Sequence, residues 1–453
     1  MSDSDVRQPR LLHRLEFILF RGIELLLSCL SIATATSLGR MAGRLFYTLS
    51  PRYRRLVRRN LRIATANDGL GPAELHELTL ETFRRAGANF LGALRTPMLD
   101  LETVHEIATE DGTDLMAGRG PGRTGLVVTM SHMGNWEAMA RLSKDYVGEA
   151  EYGGVYRPLE NPLMDALTRE RRTMDGAVLF SRKDGFHAPA ALLKRGGSLG
   201  ILADHRAGGR GAVLPFFGKL TTCSPLPALL ARRGRADVSV LSIVTQDAGH
   251  WRMILRPLHG EAGAEAIMAE LERGMRRSLA DVFWLHDRWR IDSRRPLSLF
   301  ARLDPERAAE ATVPLRLVVT LPADLGPAAR ERLFEDLFRA RPDLRLELLE
   351  ASPSDPPREG VAVHVWDPQQ PPEHADGTLR RIDESHPAPL DGALLFGSEA
   401  GLARAAKRLG LRAIIGLDVA GKPWTHSFAR PTDQAGWKEI VDELSWIPDR
   451  YRK

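Results

Sequence analysis

The chain has 453 residues, which is enough for two or three domains with a substantial core. Lysine and arginine (63) exceed aspartate and glutamate (58), so the formal charge is +5, a mild basic bias that is weak evidence for an anionic partner. The two cysteines, Cys29 and Cys223, match no metal-ligand spacing, so neither a disulfide framework nor a zinc site is expected.

The amino-terminal segment, residues 1–62, begins with an apolar stretch. This stretch, Phe17–Leu38, contains Arg21 and Glu24, and its uninterrupted part is shorter than the roughly 20 residues that a spanning helix needs. A single tilted membrane helix and a helix lying in the membrane interface are both compatible with it. A cleaved signal peptide is a third interpretation, but the charges within the stretch and the arginines after it argue against one.

An arginine cluster follows, and no acidic residue occurs between Leu25 and Asn67. The cluster consists of Arg40, Arg44, Arg52, Arg54, Arg55, Arg58, Arg59 and Arg62. By the positive-inside rule, these arginines predict a membrane anchor with the following chain on the cytoplasmic side, against an anionic membrane surface. Nucleic acid is the weaker alternative partner, because a hydrophobic segment precedes the cluster.

From residue 63 to residue 300 strand and helix patterns alternate, which predicts a layered α/β domain with a mixed sheet flanked by helices. The expected strands are 126–130, 152–156, 177–180, 199–203, 238–245 and 252–256. Pro296–Pro314 has the composition of a linker. A second alternation begins at Leu315 and predicts a smaller, Rossmann-like α/β domain over residues 315–453, which we expect to be separable from the first.

The segment Ser131–Glu137 follows directly on the buried-strand pattern of residues 125–130. His132 therefore falls at the carboxyl end of a strand, where ligands bind in open α/β sheets. A helical pattern starts after Gly134, with Asn135 suited to the N-cap and Glu137 to the first turn. The imidazole and the carboxylate can then meet as a general base and its orienting partner. A chance surface pair is the alternative interpretation.

Five further blocks follow this motif in order: 155–163, 172–176, 200–204, 215–218 and 284–290. With the His132 motif they resemble the late acyltransferases of lipid A biosynthesis, the lauroyl and myristoyl transferases, over about residues 12–295. That family is a branch of the lysophospholipid acyltransferase superfamily. The order and spacing of the blocks are more specific than any one of them.

The resemblance implies that His132 is the general base and Glu137 its orienting partner. The implied substrate-binding positions are Asn135, Arg157, Arg172, Asp204, Phe217 and Gly218. Arg172 matches the family's block for an acidic acceptor, although it also suits a solvated position. The guanidinium of Arg157 could pair with a phosphate. Asp204 is expected at the same sheet edge as His132, and Phe217 would offer an apolar wall for a fatty chain unless it is simply a core residue.

The implied reaction moves a fatty acyl group from an acyl carrier protein or coenzyme A thioester to a hydroxyl of a lipid A precursor, on the cytoplasmic face of the cell inner membrane. Acyl carrier protein, the anionic membrane surface and the lipid acceptor are the expected partners, with no nucleic acid, no metal and no cofactor. No Gly-x-Ser-x-Gly elbow surrounds Ser131, which favours direct transfer over an acyl-enzyme.

Two departures leave the acceptor open: His205 stands where the family usually has glutamine, and Asp287 where it has arginine. An acyltransferase for another glycolipid or an aminolipid is therefore an alternative. A non-catalytic membrane scaffold, with a carboxyl-terminal domain that binds a nucleotide sugar or a partner, is a second one. Residues 397–403 and 409–415 resemble the carboxyl-terminal half of heptosyltransferases, where a glycine-opened helix start can receive a diphosphate. Residues 367–390 are proline-rich and are expected to be irregular.

Overall fold

The computed structural model describes residues 9–181, 185–299, 308–352, 358–367, 369, 371–397 and 399–446. Part of the expected linker Pro296–Pro314, residues 300–307, lies outside the described residues. The described residues form two compact units. Unit 1 comprises the residues up to Arg54, His76–His205 and Ser224–His286, and unit 2 comprises Arg55–Leu75, Arg206–Cys223 and the residues from Asp287 onward.

Fourteen α-helices lie in the described residues. They are α1 (Leu11–Ser28), α2 (Ile32–Leu49), α3 (Pro51–Ala64), α4 (Pro72–Arg95), α5 (Leu101–Ile107), α6 (Trp136–Val147), α7 (Pro162–Thr173), α8 (His187–Lys194), α9 (Leu226–Gly234), α10 (Ala264–Arg276), α11 (Pro327–Ala340), α12 (Pro372–Glu384), α13 (Ala400–Leu409) and α14 (Gln434–Ser445). The apolar stretch Phe17–Leu38 is thus mostly helical, but it is divided between α1 and α2, and the described part of residues 1–62 extends into α3.

Fifteen strands accompany these helices in the described part of the chain. They are β1 (Ala108–Asp111), β2 (Leu126–Met130), β3 (Tyr152–Tyr156), β4 (Val178–Ser181), β5 (Ser198–Leu202), β6 (Ala212–Phe216), β7 (Lys219–Cys223), β8 (Asp237–Asp247), β9 (His250–Pro257), β10 (Leu315–Thr320), β11 (Leu344–Glu350), β12 (Val361–Val365), β13 (Gly392–Leu395), β14 (Ala413–Leu417) and β15 (His426–Phe428). The predicted α/β alternation is confirmed in both halves of the chain.

Unit 1 is built on a seven-stranded sheet of order β1-β9-β8-β2-β5-β3-β4. Every neighbouring pair is parallel except the antiparallel hairpin β8–β9, so the expected mixed sheet is present. The central strand β2 is apolar on both faces because helices cover both, and Leu126, Val127 and Val128 are buried. The carboxyl ends of β2 and β5 consequently lie side by side, with Met130 in register with Leu202.

The predicted amino-terminal membrane helix is not supported. The apolar stretch is broken after Ser28, and Ser31 starts α2 by accepting a 3.1 Å hydrogen bond from the backbone N–H of Thr34. Among the described residues no helix combines the length and the apolar character that a bilayer crossing requires. The sequence pattern joined two helices because apolar residues continue through the break.

Unit 2 contains a six-stranded, all-parallel sheet of order β12-β11-β10-β13-β14-β15. Side chains alternate along β10, so Leu317 and Val319 pack into one apolar cluster with α11 and α14, and Val318 packs into another with α12 and α13. Helices on both faces and a strand order that reverses beside β10 define a doubly wound fold. The sequence expectation of a Rossmann-like pattern thus matches the architecture of this sheet.

A two-stranded hairpin, β6–β7, also belongs to unit 2. Phe217 and Gly218 form its turn, with φ angles of 51° and 73°. Positive φ at both central residues is the geometry of the tight turns that join twisted antiparallel strands. The Phe217 ring is buried at 6.1 Å from Trp289, centroid to centroid. Packing within the core of unit 2 therefore accounts for the burial of Phe217.

Candidate active site

The loop after β2 holds His132 in place. Its backbone carbonyl accepts a 2.8 Å hydrogen bond from the N–H of Phe283, and Gly134 donates to the carbonyl of Asp281 at 3.1 Å. Gly134 has a φ of 58°, and a Cβ there would lie 2.4 Å from the carbonyl oxygen of Ile243. Only glycine fits this turn, so the backbone fixes where the His132 side chain begins.

Asp204 follows β5, the neighbour of β2, and meets His132 at the carboxyl edge of the sheet as the sequence predicted. Its Oδ1 lies 2.7 Å from Nδ1 of His132, and its Oδ2 accepts a 3.1 Å hydrogen bond from the His132 backbone N–H. Asp204 is only 4% exposed. With Nδ1–H directed at this carboxylate, the neutral imidazole carries its lone pair on Nε2, where it can accept a proton.

The electrostatics of this pair follow from burial and charge. Burial alone would lower the pKa of His132, but the Asp204 charge and hydrogen bond outweigh it and raise that pKa above its usual value. Burial likewise opposes ionisation of Asp204, yet the charge and hydrogen bond of His132 bring the pKa of Asp204 well below its ordinary range. Asp204 is therefore an anion that stabilises the protonated imidazole.

Glu137 lies in the first turn of α6, as expected, but its carboxylate is bound by a different partner. Arg172 donates to both of its oxygens, at 2.5 Å from Nη2 and 3.2 Å from Nε. The indole N–H of Trp136 adds a third hydrogen bond at 3.0 Å. The geometry thus differs from the expected His132–Glu137 contact: Asp204 bonds the imidazole, and Glu137 bonds Arg172.

The His132 ring is the first of three stacked imidazoles. The rings of His132 and His205 are 4.1 Å apart between centroids, and those of His205 and His286 are also 4.1 Å apart. Nitrogen and oxygen atoms of His132, Asp204 and His205 lie within 4.8 Å of one another, the group in the described residues that could hold a metal ion. Two of these three side chains already share the hydrogen bond between His132 and Asp204.

An apolar cavity of about 110 Å³ lies within unit 1 next to Glu137 and Arg172. Its other walls come from α6, from β2, β3, β4 and β5, and from the segment before β2, and they include Met116, Val128, Met130, Met139, Leu179 and Leu202. Trp136 borders the cavity and also contacts the His132 ring edge-on at 5.5 Å. An apolar group in this cavity would therefore be separated from the imidazole by one side chain.

The remaining predicted residues have other surroundings. Asn135 stands at the N-cap position of α6, but its side-chain amide donates to Oγ1 of Thr96 at 2.8 Å instead of capping the helix. Arg157 is exposed in the loop after β3. Phe217 and Gly218 belong to unit 2, whereas His132, Asp204 and the cavity belong to unit 1.

Sequence reasoning missed two parts of the site. They are the contact of Trp136 with His132 and the third imidazole, His286. The sequence indicates His205 only as a departure from the family pattern. A signal for the His132–Asp204 hydrogen bond did exist, because both residues stand two positions beyond the ends of adjacent strands.

In unit 2 the expected diphosphate-binding helix start lies where the strand order reverses. The backbone N–H of Gly397 donates to Oγ1 of Thr320 at 3.1 Å, and Glu399 is the N-cap residue of α13. Burial raises the pKa of Glu399 to about 7. Ser398 lies outside the described residues.

A carboxylate-held imidazole at the carboxyl edge of an α/β sheet, beside an apolar cavity, matches what acyl transfer to a hydroxyl needs, and the chain is an acyltransferase. A profile of the family described as bacterial lipid A biosynthesis acyltransferase matches residues 6–291, and the chain belongs to that family. Comparison with curated proteins gives no significant match. The predicted family is confirmed, and its match ends before β10 begins.

Proposed function

We propose that this enzyme transfers a fatty acyl group from an acyl carrier protein or coenzyme A thioester to a hydroxyl of a lipid A precursor, with His132 as the general base. The observation that carries the proposal is the 2.7 Å contact between Nδ1 of His132 and buried Asp204 within the family-matched segment. Asp204 serves as the positioning residue for His132, and Glu137 positions Arg172.

The proposed reaction is a direct transfer. Nε2 of His132 takes the proton of the acceptor hydroxyl while the hydroxyl oxygen forms a bond to the thioester carbonyl carbon. The carbon–sulfur bond then breaks, and the protonated imidazole returns the proton to the departing thiolate. Asp204 keeps the imidazolium favourable during this step because it is a fixed negative charge in a buried position.

Arg172 is proposed to contact the acidic acceptor. Its guanidinium is held by Glu137 beside the apolar cavity, so a phosphate that approaches this point would meet a positioned cation next to the imidazole loop. Arg157, exposed after β3, is proposed as a second phosphate contact. No metal or cofactor takes part in the proposed step.

The proposed location is the cytoplasmic face of the inner membrane, with α1 and α2 lying in the membrane surface. One side of α1 packs on α7, where Arg171 pairs with Glu24. The other side exposes apolar residues at helical spacing: Leu11, Leu12, Leu15, Ile18, Leu19, Ile23, Leu25 and Leu26. Such an exposed stripe, with exposed arginines at 14, 44 and 52, is typical of interfacial helices on anionic membranes.

The transfer test uses the purified chain with an acyl carrier protein thioester, a coenzyme A thioester and a lipid A precursor in detergent, and detects the product by mass spectrometry. His132→Ala should lower turnover by about a hundredfold or more without unfolding the protein. His250→Ala, an exposed histidine in β9, is the matched control. Near wild-type transfer by folded His132→Ala protein would rule out the mechanism. Other glycolipids are offered in parallel, and product on one of them but not on the lipid A precursor would overturn the proposed acceptor.

The membrane test is separate from the transfer test. Flotation with anionic and with neutral vesicles should show binding that depends on anionic lipid. Leu19→Glu combined with Leu26→Glu places charges in the exposed stripe and should abolish flotation without unfolding the protein. Unchanged flotation of this variant would remove α1 from the proposed contact.

A further inference from the structure

Two adjacent glycines interrupt the apolar face of the seven-stranded sheet. Gly200 of β5 is in register with Val128 on one side and with Gly154 on the other, and Gly154 is in register with Leu179. Residues in register across a sheet project to the same face. The row across the four strands is therefore Val128, Gly200, Gly154 and Leu179, with no side chains at its two central positions.

This gap lies under α6 and opens into the cavity described above. The four residues of the row line that cavity, together with Met139 from α6. The rows before and after the gap are filled, because Ser198 and Tyr152 are in register on one side and Met130 is in register with Leu202 on the other. The empty space thus coincides with the two missing side chains.

The backbone does not require glycine at these positions. A Cβ on Gly154 would meet no atom closer than 3.8 Å. A Cβ on Gly200 would lie 3.3 Å from the flexible end of Met130 and 3.7 Å from the carbonyl oxygen of Gly153. The neighbouring Gly153 differs, because its Cβ would lie 2.2 Å from the carbonyl oxygen of Val178. Glycine in a strand costs conformational entropy and packing. The strand geometry therefore does not explain why residues 154 and 200 are glycines, whereas the space that they leave in the cavity does.

We propose that Gly154 and Gly200 form the floor of the pocket for the methyl end of the acyl chain and thereby set the chain length that the enzyme accepts. This inference rests on the proposed acyl transfer. The cavity has a volume of about 110 Å³ and a mainly apolar lining, which suits a hydrocarbon chain. The methyl end of the chain then lies at the two glycines, and its carboxyl end lies beyond Trp136, towards His132.

Substitutions in this row of residues can make the pocket either smaller or larger. Gly154→Ala and Gly200→Ala each add one methyl group to the cavity and should shift the preference towards shorter chains. Leu179→Ala removes side-chain volume from the same row and should shift it towards longer chains. Gly377→Ala is the control, because Gly377 lies in α12 of unit 2 and its Cβ would meet nothing within 4 Å.

Two readouts are measured on the full chain. The first is kcat/KM for decanoyl, dodecanoyl, tetradecanoyl and hexadecanoyl thioesters. The second is direct binding of the corresponding free fatty acids by native mass spectrometry, which does not depend on catalysis. One methylene in a hydrophobic pocket changes discrimination by roughly 10-fold to 200-fold, so the ratio between neighbouring chain lengths should change by at least about tenfold.

Opposite shifts for the glycine variants and Leu179→Ala, with the control unchanged, support the inference. Unchanged length profiles in both readouts for a folded Gly154→Ala protein overturn it, and this variant has the fewer steric conflicts of the two. If no thioester is a substrate but the fatty-acid profile still shifts, the pocket stands and the proposed transfer fails. If transfer proceeds with an unshifted profile, the transfer stands and the pocket fails.

Discussion

Asp204 and His132 are 72 positions apart in the chain, yet Oδ1 of Asp204 lies 2.7 Å from Nδ1 of His132. The contact arises because β2 and β5 are parallel neighbours whose carboxyl ends coincide. The carboxylate thus reaches the imidazole across the sheet, and the helix-borne Glu137 remains with Arg172.

This geometry predicts a pH dependence. The base must be neutral, and the Asp204 charge raises the pKa of His132 against the opposing effect of burial, so kcat/KM should increase with pH up to a point above the usual histidine value. Asp204→Asn removes the charge. We expect the rising limb to move to lower pH and the maximal rate to fall by at least about tenfold, as measured from the pH profile. Asp237→Asn, at an exposed carboxylate, should change neither.

Glu137 and Arg172 are predicted to act as one unit. If Glu137 only holds Arg172, then Glu137→Gln and Arg172→Lys should each raise the KM for the acceptor, and the double variant should be little worse than either single one. A coupling free energy of about 1 kcal/mol or more is expected from this cycle. If Glu137→Gln shifted the pH profile as much as Asp204→Asn does, Glu137 would instead be a partner of His132.

A buried ion pair in unit 2 predicts a stability change. Arg316 and Glu347 are 0% and 1% exposed and lie 2.8 Å apart. Glu347→Gln leaves the guanidinium without its counter-charge and should destabilise unit 2 by about 3 kcal/mol in denaturant titrations. Glu331→Gln, at an exposed pair with Arg358, should cost no more than about 1 kcal/mol. Equal effects of the two variants would contradict this account.

The lowered pKa of the Glu347 carboxyl group predicts that unit 2 loses stability in acid. Burial opposes its ionisation, but the hydrogen bond from His364 and the charge of Arg316 prevail and lower the pKa of Glu347 to about 2. Since the folded-state pKa is below the unfolded one, this contribution to stability is present above about pH 4.5 and is lost as the pH falls towards 2. Unfolding midpoints measured across that window should fall less in Glu347→Gln than in the natural chain.

A chain that ends near residue 305 is predicted to be unstable, contrary to the sequence-based expectation of a separable second domain. Within unit 2, Nζ of buried Lys219 bonds Oδ2 of Asp391 at 2.9 Å, and Arg59 bonds the other oxygen. Truncation removes Asp391 and also Pro314, whose carbonyl accepts from the same Nζ, and it removes Ala308, which packs on Val213 and Leu220. The β6–β7 hairpin then loses the contacts that bury it and exposes its apolar side chains to water. Circular dichroism and solubility of the truncated chain provide the check. A soluble, cooperatively folded product would restore the idea of a separable domain.

The strands were predictable from sequence where burial leaves a continuous apolar run. β2 and β3 have the expected limits, residues 126–130 and 152–156. For β2 the reason is that helices cover both of its faces, so its apolar run is continuous. The helix α12 was not predicted, since its region is rich in proline. Pro372 occupies the first turn of α12, where the missing N–H is not needed.

The site was predictable to the level of the sheet edge and no further. Parallel strands bring His132 and Asp204 to one edge, and this follows from the apolar runs before them. The partner of each side chain does not follow, because Glu137 and Asp204 are equally suitable carboxylates and only the path of the loop selects between them. Phe217 was assigned to a fatty-chain wall for a similar reason: apolar residues do not reveal which cavity or core they line.

The Lys219–Asp391 pair also has a consequence for synthesis of the chain. Its two residues are 172 positions apart, and ribosomes add roughly 5–20 residues per second, so Lys219 emerges about 10–30 s before its counter-charge. During that interval, burial of the β6–β7 hairpin would leave the Lys219 ammonium group without a counter-charge. The hairpin and the arginines of α3 therefore remain hydrated until β13 is made, and completion of unit 2 is among the last events of biosynthesis.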